Sequence, residues 1–349
     1  MTDSALLAQR PTAAEREARV SELQRQMFID LDMFGLVWSS HYYVAPAPDL
    51  TERIDRLSLE ELAELRSLDA TSAEYVHWDD IRFMEPRGGL GVEEWWMQIR
   101  EARTTLRRPL PLIGLNGAQL SYAQPEEVLV GLDAIDIYQA AYARQAVGDA
   151  LLDEAIGSSA LAGAAVTSDT AERLVGERRE PQDDGEAFLL RGVRALELVR
   201  RKLEAGLTPD SVLAVQKILS GDEQEDVSGA VIERLHAMCD FANAESWVAG
   251  AEMHPVLRAI LLHFWLLYEH PFATANGRTA RAIFYWAVWR AGYSMFDWLS
   301  ISPELRLTPS QYCRSFVEAD TDGGDVTYFA IEQLHVIQRA MTRAEALER

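Results

Sequence analysis

The sequence predicts a mainly α-helical protein with one small β-hairpin in its N-terminal third. Two observations carry the helical class. From about residue 125 onward, segment after segment repeats its apolar residues at helical spacing. The 349 residues exceed what one small core holds, so the chain is expected to divide into two or three helical subdomains. A third observation supplies the hairpin: Asn116-Gly117 sits between two short apolar runs. The expected layout is an N-terminal helical region over 1–147, with the hairpin near 109–122, and a core over 148–349.

Taken in order, residues 1–12 carry no pattern, and Val20, Leu23, Met27, Ile29, Leu31 and Phe34 predict a helix over 13–35. "VWSSHYYVAPAPDL" is broken by prolines. "SLEELAELRSL" opens with Ser58 as an N-cap and Glu61 three residues on, a capping box. A Pro/Gly turn then leads into a helix over "EEWWMQIREARTTL". Pro109 and Pro111 confine the first hairpin strand to a sheet edge, because proline gives no N–H to a ladder. Helices follow at 125–147, 149–157, 168–175, 184–204, 209–219, 228–245, 254–269, 276–291, 308–318 and 324–347. "GERREPQDDGE" (176–186) and "SGDEQEDVSG" (220–229) read as solvated loops. "EADTDGGD" (318–325) lacks the Glu that closes a calcium loop and reads as a turn before the last helix.

Charge limits the partners. A formal net charge of −22 disfavours broad nucleic-acid binding and docking on anionic membranes, since both need clustered Lys and Arg. No nucleic-acid or membrane partner is expected. The longest apolar run, 259–268, is too short to span a bilayer, and the first residues lack a signal-peptide pattern, so a cytoplasmic protein is expected. Cys239 and Cys313 fit no metal-ligand spacing and read as two buried thiols. No metal site is expected from the sequence.

The stretch "HPFATANGRTAR" (270–281) concentrates chemistry. A buried helix ends near His270, where Pro271 forces the chain out. A short loop of small residues, including Thr274 and Ala275, then opens a second helix at Asn276-Gly277. Such a loop leaves backbone N–H groups free at a helix N-terminus, where the dipole favours an anion. Arg278 and Arg281, at i and i+3, reach the same side with guanidinium forks suited to phosphate. His270, at the opposite lip, suits taking a proton from an attacking hydroxyl. Phe272 reads as the apolar anchor of the loop, and Tyr285 as a residue facing the pocket. Singly, each feature has an ordinary structural use: a helix-ending His-Pro, a capping Asn-Gly, a solvated arginine pair. Their joint occurrence points to phosphate chemistry.

The stretch resembles the Fic family signature, H-x-F-x-[D/E]-G-N-G-R-x-x-R, with matches at His270, Phe272, Asn276, Gly277, Arg278 and Arg281. The flanking helices look Fic-like too, so the resemblance covers about 150–345, and 75–145 is similar to the N-terminal region of one subgroup. It implies a Fic-fold helical bundle and, by family default, transfer of AMP from ATP to a hydroxyl. The implied roles are His270 as general base and the loop of Thr274, Ala275, Asn276 and Gly277 around the α-phosphate. Arg278 is placed on the β-phosphate and Arg281 on the terminal one. ATP or another pyrophosphate donor would be the co-substrate, and a protein or small molecule the hydroxyl acceptor.

This chain departs from the pattern at several places. Thr274 replaces the acid that holds Mg²⁺ in the family, a weaker ligand for a hard cation. Mg²⁺ could still arrive on the phosphates. Ala275 replaces a glycine; if φ there is positive, alanine costs roughly 1 kcal/mol. Relatives that transfer other phosphate-linked groups also carry Ala there. Ala162 stands where the inhibitory motif [S/T]-x-x-x-E-[G/N], here Ser158–Gly163, places its glutamate. Only "SGDEQEDVSG" joins the two helices that in relatives flank a target-docking hairpin flap. These changes point to an atypical Fic-fold transferase, or to a silent Fic-fold protein that binds a nucleotide or partner as a regulator.

Overall fold

The structure, a computed structural model, describes residues 45, 47–48, 50–67, 75–86, 89–114, 117–142, 150–221, 227–244 and 253–347. The helix expected over 13–35 and Asn116 of the hairpin turn lie outside them. Labels run from the first described helix: α1 (Thr51–Ile54), α2 (Leu59–Ser67), α3 (Trp78–Ile81), α4 (Val92–Thr104), then the strands β1 (Arg108–Ile113) and β2 (Gln119–Tyr122). The core helices are α5 (Glu126–Tyr142), α6 (Ala150–Leu161), α7 (Ser168–Gly176), α8 (Asp184–Arg201), α9 (Pro209–Ser220) and α10 (Gly229–Asn243). They continue with α11 (Pro255–Glu269), α12 (Asn276–Arg290), α13 (Ser302–Leu307), α14 (Pro309–Thr321) and α15 (Thr327–Leu347). No described helix is long and apolar enough to cross a membrane.

Local chemistry sets most boundaries. Ser58 and Glu61 form the expected capping box, with Glu61 N–H donating to Ser58 Oγ (3.2 Å) and Ser58 N–H to Glu61 Oε2 (2.8 Å). Thr208 caps α9 ahead of Pro209, and Gly221 ends it in the left-handed region at φ 75°. His254 caps α11, its Nδ1 accepting from Val256 N–H at 3.2 Å. The sequence pattern missed α13 and the 3₁₀ turn Ser294–Asp297, which are too short to show a period. The stretch 176–186 is mostly exposed, as expected, apart from its last residue. Glu186 is buried, gripped by both terminal nitrogens of Arg179 at 2.7 and 2.5 Å and by Gln182 N–H.

The core centres on α11 and α12, which pack along each other with α8, α9, α10 and α15 around them. Every α11 residue from Val256 to Glu269 except Arg258 is buried, so this helix is apolar almost all round, as an interior helix must be. His263, fully buried on it, sits with Nε2 2.8 Å from Tyr312 Oη. Cys239 and Cys313 are free and buried. A smaller apolar cluster, including Leu50, Ile81, Trp96 and Ile99, lies in the N-terminal region.

The hairpin joins the two. β1 pairs antiparallel with β2, Arg108 opposite Tyr122 and Ile113 opposite Gln119, with a register shift between Pro109 and Ile113. The free side of β2 meets the turn before α15: Ser121 N–H donates to Gly324 O (2.9 Å), and Val326 N–H to Ser121 O (2.8 Å). Below this seam, Asp322 and Asp325 are fully buried. Arg107 reaches Asp322 at 2.7 Å and Asp325 at 2.8 Å, and Arg100 reaches Asp322 at 3.3 Å. Burial opposes the charge on Asp322, but Arg107 and Arg100 outweigh it and hold its carboxyl below the usual range.

Candidate functional site

The loop between α11 and α12 is held by its own residues. His270, at the end of α11, adopts φ 50° and ψ 52°, and Ala275, at the start of α12, adopts φ 64° and ψ 16°. Arg178 is the one other described non-glycine residue with positive φ. Left-handed backbone costs a residue with a Cβ roughly 1–2 kcal/mol, and such strain gathers where a loop shape is functional. The conditional expectation for Ala275 is therefore met: the position is left-handed, and alanine carries that cost.

Phe272 and Asn276 hold the loop closed. Phe272 is buried among the core residues, worth about 1.5–3 kcal/mol as an anchor. Its N–H donates to Asn276 Oδ1 (3.0 Å), and Asn276 Nδ2 donates back to Phe272 O (2.7 Å). The Asn276 side chain thus braces the loop, with one Nδ2 hydrogen left over. Thr274 and Ala273 are exposed on the rim. Gly277 is needed for space: a Cβ there would lie 3.2 Å from Arg281 Nη1. The first turn of α12 has no side-chain cap, so its leading N–H groups face out along the helix axis.

His270 is half-buried at the lip, and its Nδ1 lies 2.8 Å from Leu267 O. A carbonyl only accepts, so Nδ1 carries the proton and a neutral ring keeps its lone pair on Nε2. In that tautomer Nε2 is the basic nitrogen of the ring.

The two arginines are buried without a carboxylate bonded to either among the described residues. Arg278 lies flat on the Phe188 ring, 3.4 Å from its centroid, and donates to Leu219 O and more loosely to Phe188 O (3.5 Å). Burial, with Arg191 and Arg281 nearby, draws its pKa down to about 9. It remains a cation at neutral pH, and among the described residues no carboxylate is bonded to it. Arg281 donates from Nε to Ser158 Oγ (3.0 Å) and from Nη2 to Ser158 O (3.3 Å). Ala162, the position read above against an inhibitory glutamate, follows the end of α6 and brings Arg281 no carboxylate.

The structure corrects the reading of Tyr285. It points into a buried cluster under α12, not into a pocket: its hydroxyl donates to Glu154 Oε2 (2.8 Å). Glu154 also accepts from the N–H groups of Ile301 (3.2 Å) and Ser302 (2.9 Å) and from Ser302 Oγ. Burial raises its pKa against those bonds. Sequence reasoning passed over Glu154; its one signal was an acid inside the apolar run "ALLDEAIGSSAL". Phe188 and the Leu219 carbonyl, which set the pose of Arg278, carried no sequence signal.

Residues 207–288 match the Fic/DOC family. The family match thus lies on the segment that holds the loop. The match runs from the turn before α9 through α12 and contains the whole loop. The protein adenylyltransferase fic-1 of Caenorhabditis briggsae is 41% identical over 63 residues, covering 18% of this chain and 12% of that protein. The protein adenylyltransferase Fic of Culex quinquefasciatus is 32% identical over 79 residues, covering 19% of this chain and 16% of that protein. The chain thus matches less than a fifth of the length of either relative. The crystal structure of a Fic family protein from Desulfovibrio desulfuricans G20 superposes with a TM-score of 0.52 at 17% identity, over 64% of this chain and 75% of that one. The fold is therefore the helical Fic fold with a small hairpin, as expected.

Among the described residues the loop does not assemble a magnesium site. The loop offers a Thr274 hydroxyl where a carboxylate would serve, and the described residues contain no cluster of three metal-ligating side chains. Glu269, next to His270, turns away into a pair with Arg234.

Proposed function

We propose that this protein is an atypical Fic-fold transferase that takes a nucleotide or other pyrophosphate donor and passes a phosphate-linked group to a hydroxyl. AMP is the group that the names of the relatives suggest. The observation that carries the reading is the pairing of a histidine with two buried cations to which no carboxylate among the described residues is bonded. His270 stands at one lip with Nδ1 on the Leu267 carbonyl, while Arg278 and Arg281 sit buried on the helix beyond. Keeping two guanidinium groups buried with no bonded carboxylate is costly unless an anion is their business.

In this reading the donor's α-phosphate lies at the open N-terminus of α12, where the leading N–H groups stabilise charge as it develops. Arg278 and Arg281 hold the following phosphates. The acceptor hydroxyl gives its proton to His270 Nε2 as its oxygen bonds to phosphorus, and the phosphoanhydride bond breaks to release pyrophosphate. The protein's part is positioning and charge stabilisation. A small-molecule or non-extended acceptor fits the short Gly221–Ser228 connection better than a protein strand does.

The test is a donor screen by mass spectrometry. Wild type and His270→Ala are incubated with ATP, the other nucleoside triphosphates and CDP-choline, with and without Mg²⁺, in the presence of candidate small-molecule and protein acceptors. The expected result is a product that appears with wild type and vanishes in His270→Ala. Nucleotide binding by both proteins with no product from either would replace the transferase by a silent nucleotide-binding regulator.

A further inference from the structure

Beside the cradle lies a second basic recess, which the proposed reaction does not use. On α8, Ala187, Leu190, Arg191 and Arg194 fall at i, i+3, i+4 and i+7, one face of a helix. Lys217 and Ile218 of α9 face them, and together they enclose a volume of about 590 Å³. That is room for a nucleotide-sized molecule. Its floor is aliphatic and its rim carries three cations and one carboxylate, Glu180. In a chain with 55 acidic and 33 basic residues, such a recess runs against the average.

Two features separate it from an ordinary solvated face. Arg191 is half-buried, and its Nε is fully buried with no hydrogen-bond partner among the described residues. Among the described residues no carboxylate pairs with Arg191, Arg194 or Lys217; the neighbouring acid Glu186 is consumed by Arg179. The second feature is Gly221, which closes α9 at φ 75°. A Cβ there would fall 2.7 Å from Arg191 Nη1, so glycine both makes the turn and clears the space the guanidinium occupies. Arg191 is also set 5.5 Å from the centroid of the same Phe188 ring that carries Arg278. The cation is thus placed by its surroundings, and its buried edge lacks a partner.

We infer that this recess binds a phosphorylated small molecule of about nucleotide size, its phosphate on Arg191, Arg194 and Lys217 and its uncharged body on Leu190 and Ile218. The net charge of the lining, two positive, matches a phosphate monoester, which carries close to two negative charges at neutral pH. Guanidinium forks suit its oxygens. The inference stands apart from the cradle, since neither His270 nor Arg281 takes part.

The test is calorimetry on the full chain with AMP, adenosine and inorganic phosphate as separate probes. Arg194 and Lys217 are exposed, so the double variant Arg194→Ser/Lys217→Ser spares the fold. It should bind AMP about tenfold or more weakly at this site, the usual loss when charge-assisted bonds are removed. Arg278→Met should keep that binding, and Gly221→Ala, which displaces Arg191, should weaken it. Adenosine should bind far less than AMP, and phosphate alone less than AMP. The inference is overturned if the double variant binds AMP with wild-type affinity and stoichiometry, or if Arg278→Met abolishes all AMP binding. A failed cradle would show differently, as wild-type ATP binding in Arg278→Met.

Discussion

Replacing Arg278 by methionine should cost the fold little and the affinity for a polyphosphate a great deal. Burial, then Arg191 and Arg281, bring the Arg278 pKa down from the ordinary guanidinium value to about 9. At 1.36 kcal/mol per pH unit, that disfavours the cation by roughly 5 kcal/mol relative to water. Against it stand the bonds to Leu219 O and Phe188 O, together about 3 kcal/mol, and the stacking on Phe188, about 2 kcal/mol. The terms nearly cancel, so the folded chain gains almost nothing from this guanidinium until an anion arrives. Methionine fills much of the space without a charge and leaves two carbonyls short of a donor. The unfolding free energy should therefore move by no more than about 2 kcal/mol, read in urea melts. ATP affinity, read by calorimetry, should fall about ten- to hundredfold, the worth of one or two charge-assisted bonds. A variant that binds ATP as wild type does would refute the cradle. One that loses more than about 4 kcal/mol of stability would refute the balance, and would make Arg278 a structural residue.

Three further outcomes follow from the same geometry. Ala275→Gly should keep or slightly raise thermal stability, because relief of left-handed strain offsets the entropy of glycine. Ala275→Val should lose about 1 kcal/mol or more in the same melts. Glu154→Ala strands the Tyr285 hydroxyl and the N–H groups of Ile301 and Ser302, and should cost about 3–5 kcal/mol in chemical denaturation. A loss below about 1 kcal/mol would mean the cluster is not needed. His77 is fully buried with Nδ1 accepting from Asp79 N–H, and burial first, then Arg314 and Arg103 against nearby acids, lowers its pKa to about 3. Its contribution is complete above pH 6.5 and drains as the pH falls toward 3, about 2 kcal/mol by pH 5. His77→Asn should flatten that part of the stability profile, and an unchanged slope would count against the assignment.

The sequence made the site's ingredients legible and left their poses hidden. The helix–loop–helix around His270 was readable because Pro271 and Asn276-Gly277 are local signals acting over one or two residues. The left-handed backbone at Ala275 was readable as a condition, since it follows from what a glycine in that place would supply. The partners of Arg278 and Arg281 were not. They are backbone carbonyls on α8 and α9 and a serine on α6, brought together by packing of helices far apart in the chain. Tyr285 failed for the same reason: helical spacing gives the side of α12 it occupies, but the buried acid awaiting it on α6 has no local signature. The two short helical turns after α12 were missed because a period cannot be counted in four to six residues.

The seam between the hairpin and the turn before α15 bears on how this protein could be divided. Cutting the chain near residue 147 would strip Arg100 and Arg107 from Asp322 and Asp325, and would take the neighbouring backbone from Gly324 and Val326. The downstream piece would keep the loop of His270 yet lose the counter-charges beneath its last helix. The two pieces are therefore natural candidates for fragment complementation. Mixed, they should recover helical content and cooperative melting that the downstream piece lacks alone, with the buried arginine–aspartate pairs as the adhesive. Recovery on mixing would make the segment before residue 147 a folding partner of the core that holds the His270 loop, carried on the same chain.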